Sequence, residues 1–203
     1  LAAALRASCC EIYTDVDGIF TSDPRVIADA KKIDQITYDE ILELASLGAK
    51  VVHSRAVEVG KKFNMPIWVC NSHKNIRGTL ITKETKKMEE VVVSGVALAE
   101  DEAKITLFRV PDRPGVAAKI FQALADANVN VDMIIQNKTQ TNSTDVSFTV
   151  YKNELAKAIK VVQDNARKLG IKDIVCDENI AKVSIVGIGM RSHSGVASKM
   201  FST

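Results

Sequence analysis

A short pattern occurs twice in this chain and constrains its fold more than any other feature. Residues 104–121 have the composition of an alternating apolar strand, a turn and a helix, and residues 182–201 repeat that order. The segment Gly-Val-Ala-x-Lys-x-Phe is the same in both copies, beginning at Gly115 and at Gly195. Repetition of a strand, a turn and an amphipathic helix indicates a duplicated supersecondary unit.

The first copy continues in a regular way. Periodicity predicts strands at 130–136 and 144–151, a helix at 154–169 ended by Gly170, and a strand at 171–176. That order is βαββαβ, the ferredoxin-like split unit. The second copy contains only its opening strand and part of its helix, so it is expected to be incomplete. An extra strand at 91–97 precedes the first copy and would lend an edge to the second.

The first part of the chain has an α/β pattern. It predicts strands at 9–14 and 66–70 and helices at 37–47 and 54–63. Thr37 is the expected N-cap of the first helix, with Glu40 completing a capping box and Gly48 ending the helix. The expected organisation is therefore α/β followed by α+β: residues 1–82 as one domain, 83–90 as a charged linker, 103–177 as the first repeat module, and 91–101 with 178–203 as part of the second.

Composition and charge disfavour several classes of protein. The 203 residues are 46% hydrophobic and 26% charged, and 27 basic and 25 acidic residues are mixed along the chain, which disfavours nucleic-acid and membrane partners. Cys9, Cys10, Cys70 and Cys176 have neither a disulfide framework nor metal-ligand spacing, so reduced thiols in a cytoplasmic protein are expected.

Both ends are expected to be truncated, since Leu1 would lie within a helix and the last helix stops within about three turns.

A polar loop follows the first predicted strand. Residues 13–25 read Tyr-Thr-Asp-Val-Asp-Gly-Ile-Phe-Thr-Ser-Asp-Pro-Arg. In open α/β sheets the ligand crevice lies at this end of the strands. The hydroxyls of Thr14 and Thr21 suit ribose or phosphate, Arg25 suits phosphate, and the acids suit ribose hydroxyls or Mg²⁺. The alternative is an acidic surface turn, because any loop uses Asp, Gly, Ser and Pro.

The duplicated turn suggests a second kind of ligand. In both copies backbone N–H groups are exposed at a helix start, where a small carboxylate binds favourably. Asp112 or Asp132 would pair with an ammonium group, so a free amino acid is the natural ligand. The alternative is that Asp112, Ser192 and Ser194 are ordinary turn or capping residues.

These motifs together resemble one enzyme family. The segments YTDVDG and DPR, then ITYDE and ELASLGAKVVHSRAVE, then PDRPGVA with NVDMIIQN, are similar to bacterial aspartate kinases over nearly the whole chain. Small departures are Val52, Ser54 and Ser194. The resemblance implies the C-terminal portion of an amino-acid-kinase α/β sandwich, followed by ferredoxin-like ACT domains. In that family one ACT domain is inserted within the other.

The resemblance also implies an activity: transfer of the ATP γ-phosphoryl group to the β-carboxylate of L-aspartate, giving 4-phospho-L-aspartate on the route to lysine, threonine and methionine. ATP and Mg²⁺ would be the cofactors, and no resident metal site is expected. The catalytic lysine and the aspartate-binding residues of the family lie upstream of this segment, so we expect no catalytic residue here and no activity from this chain alone. The implied nucleotide contacts are Thr14 and Asp15 at the nucleoside, Phe20, Asp23 and Arg25 lining the ATP site, and Lys50 and Val51 from a second loop. Without the resemblance, Lys50 would be a cation at a helix C-terminus.

Feedback inhibition by an end-product amino acid follows from the ACT resemblance, with lysine as the first choice and threonine as the second. The ligand would bind where two ACT modules pair side by side, which makes a homodimer the expected assembly. The alternative is a non-catalytic, amino-acid-binding regulatory subunit. The implied effector contacts are Asp112, Pro114, Gly115, Val116, Ala117, Asn130, Val131, Asp132, Gln136, Ser192, His193, Ser194, Gly195 and Val196.

Overall fold

The structure is a computed structural model that describes residues 1–49, 52–84, 92–139, 143–171, 173–187, 190 and 193–202. Lys50, Val51 and Ser192, most of the expected linker and the beginning of the expected extra strand lie outside the described residues. The chain forms two compact units. The first unit contains residues 1–99 and 183–203, and the second contains residues 100–182. The expected module boundaries stay predictions.

The first unit is built on a four-stranded sheet with helices beside it. Strands β1 and β3 are parallel, β2 and β4 are parallel, and β3 and β4 are antiparallel, in the order β1-β3-β4-β2. The strands are β1 (Cys10–Thr14), β2 (Gln35–Thr37), β3 (Ile67–Asn71) and β4 (Thr79–Thr82), and the helices are α1 (Tyr38–Ser46) and α2 (Ser54–Lys62). Side chains such as Ile41, Val57, Val69 and Ile81 form its core.

Helix α1 begins as its sequence predicts. The Thr37 hydroxyl accepts a hydrogen bond from the Glu40 N–H at 3.1 Å, and the Glu40 carboxylate accepts one from the Thr37 N–H at 3.0 Å. This capping box satisfies two backbone donors that the helix itself leaves unpaired. Glu40 is buried and also accepts a hydrogen bond from the Ser94 hydroxyl. The start of α1 is thereby hydrogen-bonded to Ser94, which lies 54 residues further along the chain.

A second, smaller sheet of the first unit pairs strands that are distant in sequence. Strand β5 (Gly95–Ala99) is hydrogen-bonded to β10 (Lys182–Val186), which opens the second copy of the repeat, and this is the pairing that the repeat predicts. Helix α5 (Val196–Phe201) follows. The expected helix at the first residues is wrong: residues 2–6 form turns, with the Leu5 N–H donating to the Leu1 carbonyl at 2.9 Å.

The second unit confirms the expected βαββαβ order. Its antiparallel sheet has the order β7-β8-β6-β9. The elements are β6 (Glu102–Pro111), α3 (Val116–Asp126), β7 (Val131–Lys138), β8 (Ser143–Tyr151), α4 (Leu155–Leu169) and β9 (Asp173–Asp177), with a short 3₁₀ turn at Lys152–Glu154. Ile105, Leu124 and Val162 lie in the core, where Phe121 packs edge-on against Phe148.

Strand β7 forms one edge of this sheet and is paired on one side, to β8. The side chains of Met133, Ile134 and Ile135 on this strand are exposed. Exposed apolar residues on an edge strand are unusual in a monomer, because unpaired backbone groups there can pair with another chain.

Candidate functional site

The polar loops after β1 and β3 start side by side. Thr14 and Asn71, the last residues of these parallel strands, lie opposite each other. The Thr14 carbonyl accepts hydrogen bonds from the Ser72 N–H at 2.8 Å and from the Ser72 hydroxyl at 2.9 Å. Both loops therefore leave the carboxyl edge of the sheet together, the place where α/β folds bind ligands.

Asn71 holds the two loops in position. Its buried side-chain amide donates to the Asp17 carboxylate at 2.6 Å, and its carbonyl oxygen accepts the N–H groups of His73 at 2.7 Å and Lys74 at 3.1 Å. The Lys74 ammonium pairs with both oxygens of Asp17 at 2.9 Å. Sequence reasoning missed Asn71 and Lys74. The available signal was the polar run that follows the apolar strand ending at Cys70.

The charges on these loops are arranged so that Asp17 stays ionised. The hydrogen bond from Lys74 lowers the pKa of the Asp17 carboxyl, and this effect outweighs the opposing effect of desolvation. Asn71, as a hydrogen-bond donor, and Lys32, as a nearby positive charge, lower the pKa further. Lys32 is thus a second cation near this edge that sequence reasoning did not select.

Thr14 and Asp15 are at the beginning of the first loop. The Thr14 hydroxyl accepts a hydrogen bond from the Val16 N–H at 3.2 Å, a local turn that fixes the direction of the chain after β1. Asp15 is exposed. Its negative charge is near enough to Arg25 to raise the pKa of that guanidinium, although Asp23 has the larger effect. The charges of Asp15 and Arg25, two residues of the candidate set, therefore interact favourably.

Arg25 is already engaged with another candidate residue. Its Nε and Nη2 donate to the two carboxylate oxygens of Asp23 at 3.0 and 2.8 Å, and the same carboxylate accepts the Arg25 backbone N–H at 2.9 Å. These hydrogen bonds lower the pKa of Asp23. The Arg25 side chain is 86% exposed, so a phosphate can reach it from solvent and exchange with the carboxylate.

Phe20 lies on a segment that is anchored to the sheet. Residues 19–33 form a loop whose two ends lie beside each other at β4. Within this loop, Phe20 forms an isolated antiparallel bridge to Lys32. The Thr79 hydroxyl accepts the Ile19 N–H at 2.8 Å and also donates to the Ile33 carbonyl, so both ends of the segment are tied to β4. Phe20 is half-buried. Thr79 therefore fixes the backbone directly before Phe20.

A cavity of about 590 Å³ lies elsewhere in the first unit. It is lined by residues of α1 and α2 and of the segment between them, including Leu42, Ala49 and His53. It contains none of the candidate residues from the first loop. The candidate residues Lys50 and Val51 belong to the same connecting segment and lie outside the described residues.

The effector candidates of the first turn are in the second unit. Gly115 has φ 88°, the left-handed conformation that glycine adopts without strain, and begins α3 with no side-chain cap. Pro114, Val116 and Ala117 are its neighbours. The Asp112 carboxylate lies 3.7 Å from the ammonium of Lys138, at the far end of β7.

The effector candidates of the following strand lie at the other end of β7. Asn130, Val131 and Asp132 line a cavity of about 210 Å³ together with Glu102 and Tyr151. Gln136 is exposed on β7, opposite Val146 of β8. Six residues of extended strand separate Asp132 from Lys138, roughly 20 Å. One small ligand therefore cannot contact both Asp112 and Asp132 of the same protein chain.

The second glycine turn belongs to the first unit. Gly195 has φ 90° and ψ −4°, close to the 88° and −9° of Gly115, and it begins α5 as Gly115 begins α3. The duplicated sequence therefore has a duplicated backbone conformation. His193 and Ser194 are exposed, Val196 is half-buried, and Ser192 lies outside the described residues.

Two kinds of feature are absent from the described residues. No group of three or more His, Cys, Asp or Glu side chains in the described ranges is arranged to hold a metal ion. No helix in the described part of the chain has the length and apolar character needed to cross a membrane.

Comparison with known proteins gives a consistent result along the chain. Residues 1–71 match the amino acid kinase family and residues 109–165 match an ACT domain. An aspartate kinase from Pseudomonas fluorescens is 54% identical over 202 residues, which cover 99% of this chain and 49% of that protein. The chain spans about half the length of the curated relatives it matches.

Solved structures agree with the sequence relatives. Aspartokinase III of E. coli in complex with aspartate and ADP has a TM-score of 0.79 and 29% identity, covering 99% of this chain and 45% of that one. The same enzyme with lysine and aspartate has a TM-score of 0.70 and 30% identity, covering 92% and 41%. The regulatory subunit of aspartate kinase from Thermus thermophilus is 42% identical with a TM-score of 0.52, covering 55% of this chain and 74% of that one.

Proposed function

Because the chain belongs to the aspartate kinase family, we propose that it carries the nucleotide side and the regulatory part of an enzyme that phosphorylates L-aspartate. The proposed reaction transfers the γ-phosphoryl group of ATP to the β-carboxylate, forming 4-phospho-L-aspartate. The observation that best supports a nucleotide site is the joining of the loops after β1 and β3 by Asn71, Asp17 and Lys74 at the carboxyl edge of parallel strands.

The residues at this edge suit a polyphosphate. Arg25 and Lys74 are exposed cations, and each is held by a carboxylate that a phosphate can replace. Thr14 and Asp15 offer hydrogen-bonding groups for the nucleoside. Magnesium, the second proposed cofactor, would neutralise phosphate charge when it is bound.

A nucleotide titration tests this proposal. Calorimetry on the intact protein compares ATP and adenosine binding to the wild type and to Arg25→Gln. We expect the variant to bind ATP about tenfold more weakly, the effect of one charged hydrogen-bonding group, and to bind adenosine as before. Arg55→Gln, an exposed arginine on α2, is the matched control. Equal ATP affinity in Arg25→Gln would remove Arg25 from the site.

The chain alone is expected to be inactive. It matches about half of the length of its relatives. The resemblance implies that the family's catalytic lysine and aspartate-binding residues lie upstream of this segment. We predict no aspartate-dependent consumption of ATP by this 203-residue polypeptide. Robust turnover would show that the site assignment is wrong.

The regulatory part is proposed to bind lysine, with threonine as second choice. A solved relative that contains lysine supports this choice. Asp112 and Asp132 of one protein chain are too far apart to share a ligand. Antiparallel pairing of the β7 edges of two chains would bring the turn that contains Asp112 of one chain to the end of β7 that contains Asp132 of the other. Exposed Met133, Ile134 and Ile135 would be covered in such a homodimer.

Titration of the intact protein with lysine and with threonine tests the effector site. Asp112→Ala is expected to weaken binding about tenfold, and Asp126→Ala, an exposed carboxylate at the end of α3, is the control. Unchanged affinity in Asp112→Ala would remove that residue from the site. Sedimentation of the intact protein would test the dimer.

A non-catalytic regulatory subunit is the second candidate, favoured by the match to the Thermus subunit. That match covers 55% of this chain, whereas the amino acid kinase match begins at residue 1. Nucleotide binding separates the two functions. If ATP neither binds nor raises the unfolding temperature of the intact protein, the regulatory function is correct.

A further inference from the structure

Glu102 is a buried carboxylate with one unused oxygen. It lies at the start of β6 with 4% of its surface exposed, and it lines the 210 Å³ cavity beside Asn130, Asp132 and Tyr151. One oxygen, Oε1, accepts a hydrogen bond from the ammonium of Lys182. The other, Oε2, is buried with no hydrogen-bond partner in the described part of the chain. A buried acceptor without a donor is costly and requires an explanation.

Lys182 divides its ammonium between two carboxylates. Its side chain is 8% exposed, and it contacts Glu102 and the Oδ2 atom of Asp132. An ammonium group has three donors, and these contacts use two of them. Two carboxylates and one ammonium leave one formal negative charge on the cavity wall, which favours a cationic ligand.

The Lys182 ammonium already binds the Asp132 carboxylate, which is the group that the ammonium of an amino-acid ligand would need. Asp132 is half-exposed and lies at the cavity, while Lys182 holds it from the buried side. A ligand ammonium must therefore compete with Lys182. The unused Oε2 of Glu102 gives Lys182 an alternative acceptor, so that leaving Asp132 does not leave the buried ammonium short of a partner.

We infer that Lys182 is an internal competitor that sets the affinity of this cavity for ligands with an ammonium group. Without ligand, Lys182 bridges Glu102 and Asp132. With ligand, the ligand ammonium takes Asp132, and Lys182 donates to both oxygens of Glu102. Glu102 and Lys182 are thus positioning residues that act through Asp132. The inference rests on the proposed function only in taking Asp132 as an effector contact.

Two variants with opposite expected effects test the exchange. Glu102→Gln removes the acceptor at Oε2 and keeps Lys182 on Asp132, so we expect L-lysine to bind about tenfold more weakly. Glu102→Gln combined with Lys182→Met leaves Asp132 unpaired with the same formal charge on the wall as the wild type. This double variant is expected to bind lysine about tenfold more tightly than Glu102→Gln, and at least as tightly as the wild type.

Calorimetry on the intact protein measures these affinities, with thermal unfolding recorded for each variant. Lys104→Met, an exposed lysine on β6, is the control for loss of a positive charge from the same sheet. A purely structural role of the pair would lower the unfolding temperature without opposite changes in affinity. Affinities within twofold of each other, or shifts of both variants in the same direction, would overturn the inference.

A structure of the wild-type protein with lysine gives a test that needs no variant. Lys182 Nζ is expected to lie within hydrogen-bond distance of both Glu102 oxygens and away from Asp132. Lysine bound while Lys182 still contacts Asp132 would overturn the inference and leave the effector site intact. Absence of lysine and threonine binding to the wild type would refute the effector site itself.

Discussion

The side-chain amide of Asn71 donates to the Asp17 carboxylate at 2.6 Å, across 54 residues of sequence. The same side chain accepts the N–H groups of His73 and Lys74. One buried amide therefore fixes both loops at the proposed nucleotide edge.

Asn71→Ala removes the partners of two backbone donors and of one carboxylate. Because the two backbone donors then lose their acceptor and the Asp17 carboxylate keeps only Lys74, we expect the free energy of unfolding to fall by about 2–3 kcal/mol in urea titrations. Asn75→Ala, an exposed asparagine of the same loop, is expected to change it by less than about 0.5 kcal/mol. Equal effects of the two substitutions would contradict the anchoring role of Asn71.

The Asp17–Lys74 pair predicts a pH dependence of stability. Since the folded state lowers the pKa of Asp17, the pair stabilises the fold above the unfolded pKa, near 4 for aspartate. That stabilisation is lost as the pH falls through the lower folded pKa. Asp17→Asn should therefore reduce the difference between the urea midpoints at pH 7 and pH 3. Lys74→Met should reduce it as well, and an unchanged difference in both variants would refute the prediction.

Thr37→Ala removes the side-chain cap of α1 and one partner of the buried Glu40. We expect a loss of about 1–2 kcal/mol in the free energy of unfolding. Ser46→Ala, at the exposed last turn of the same helix, should cost less than about 0.5 kcal/mol. Urea denaturation followed by circular dichroism measures both, and a larger effect at Ser46 would argue against the capping box.

Gly78→Ala tests the close approach of the chain to β3. A Cβ atom at this position would lie 1.9 Å from the Val69 carbonyl oxygen, a backbone atom that cannot move without disturbing the strand. We expect a loss of about 3 kcal/mol or more, or failure to fold. Ala30→Gly, in the segment joined to β4 by Thr79, is a control for substitution in a connecting segment. A thermal midpoint within 2 °C of wild type for Gly78→Ala would contradict the prediction.

Local signals in the sequence were sufficient for much of the fold. Thr37 and Glu40 have the spacing of a capping box, and Gly170 follows an amphipathic stretch, so the ends of α1 and α4 were predictable. The repeat at Gly115 and Gly195 indicated the ferredoxin-like unit and the pairing of β5 with the second copy. The capping signals lie within a few residues of the helix ends that they predict, whereas the repeat gives its information by duplication.

The contacts that sequence reasoning missed join residues far apart in the chain. Lys74 reaches Asp17 over 57 residues, and Lys182 reaches Glu102 over 80. No local pattern indicates which acid a given lysine will meet, because the partner is fixed only when the strands are paired. The short strand β4 was missed as well, since four residues give too little periodicity.

The second unit interrupts a sheet whose two flanking strands are hydrogen-bonded to each other. The first and last residues of the second unit consequently lie close together, and the ion pair of Glu102 with Lys182 joins them. Strands β5 and β10 therefore pair with each other although the whole second unit separates them in sequence. The hydrogen bonds between these two strands close the longest excursion of the chain at its base.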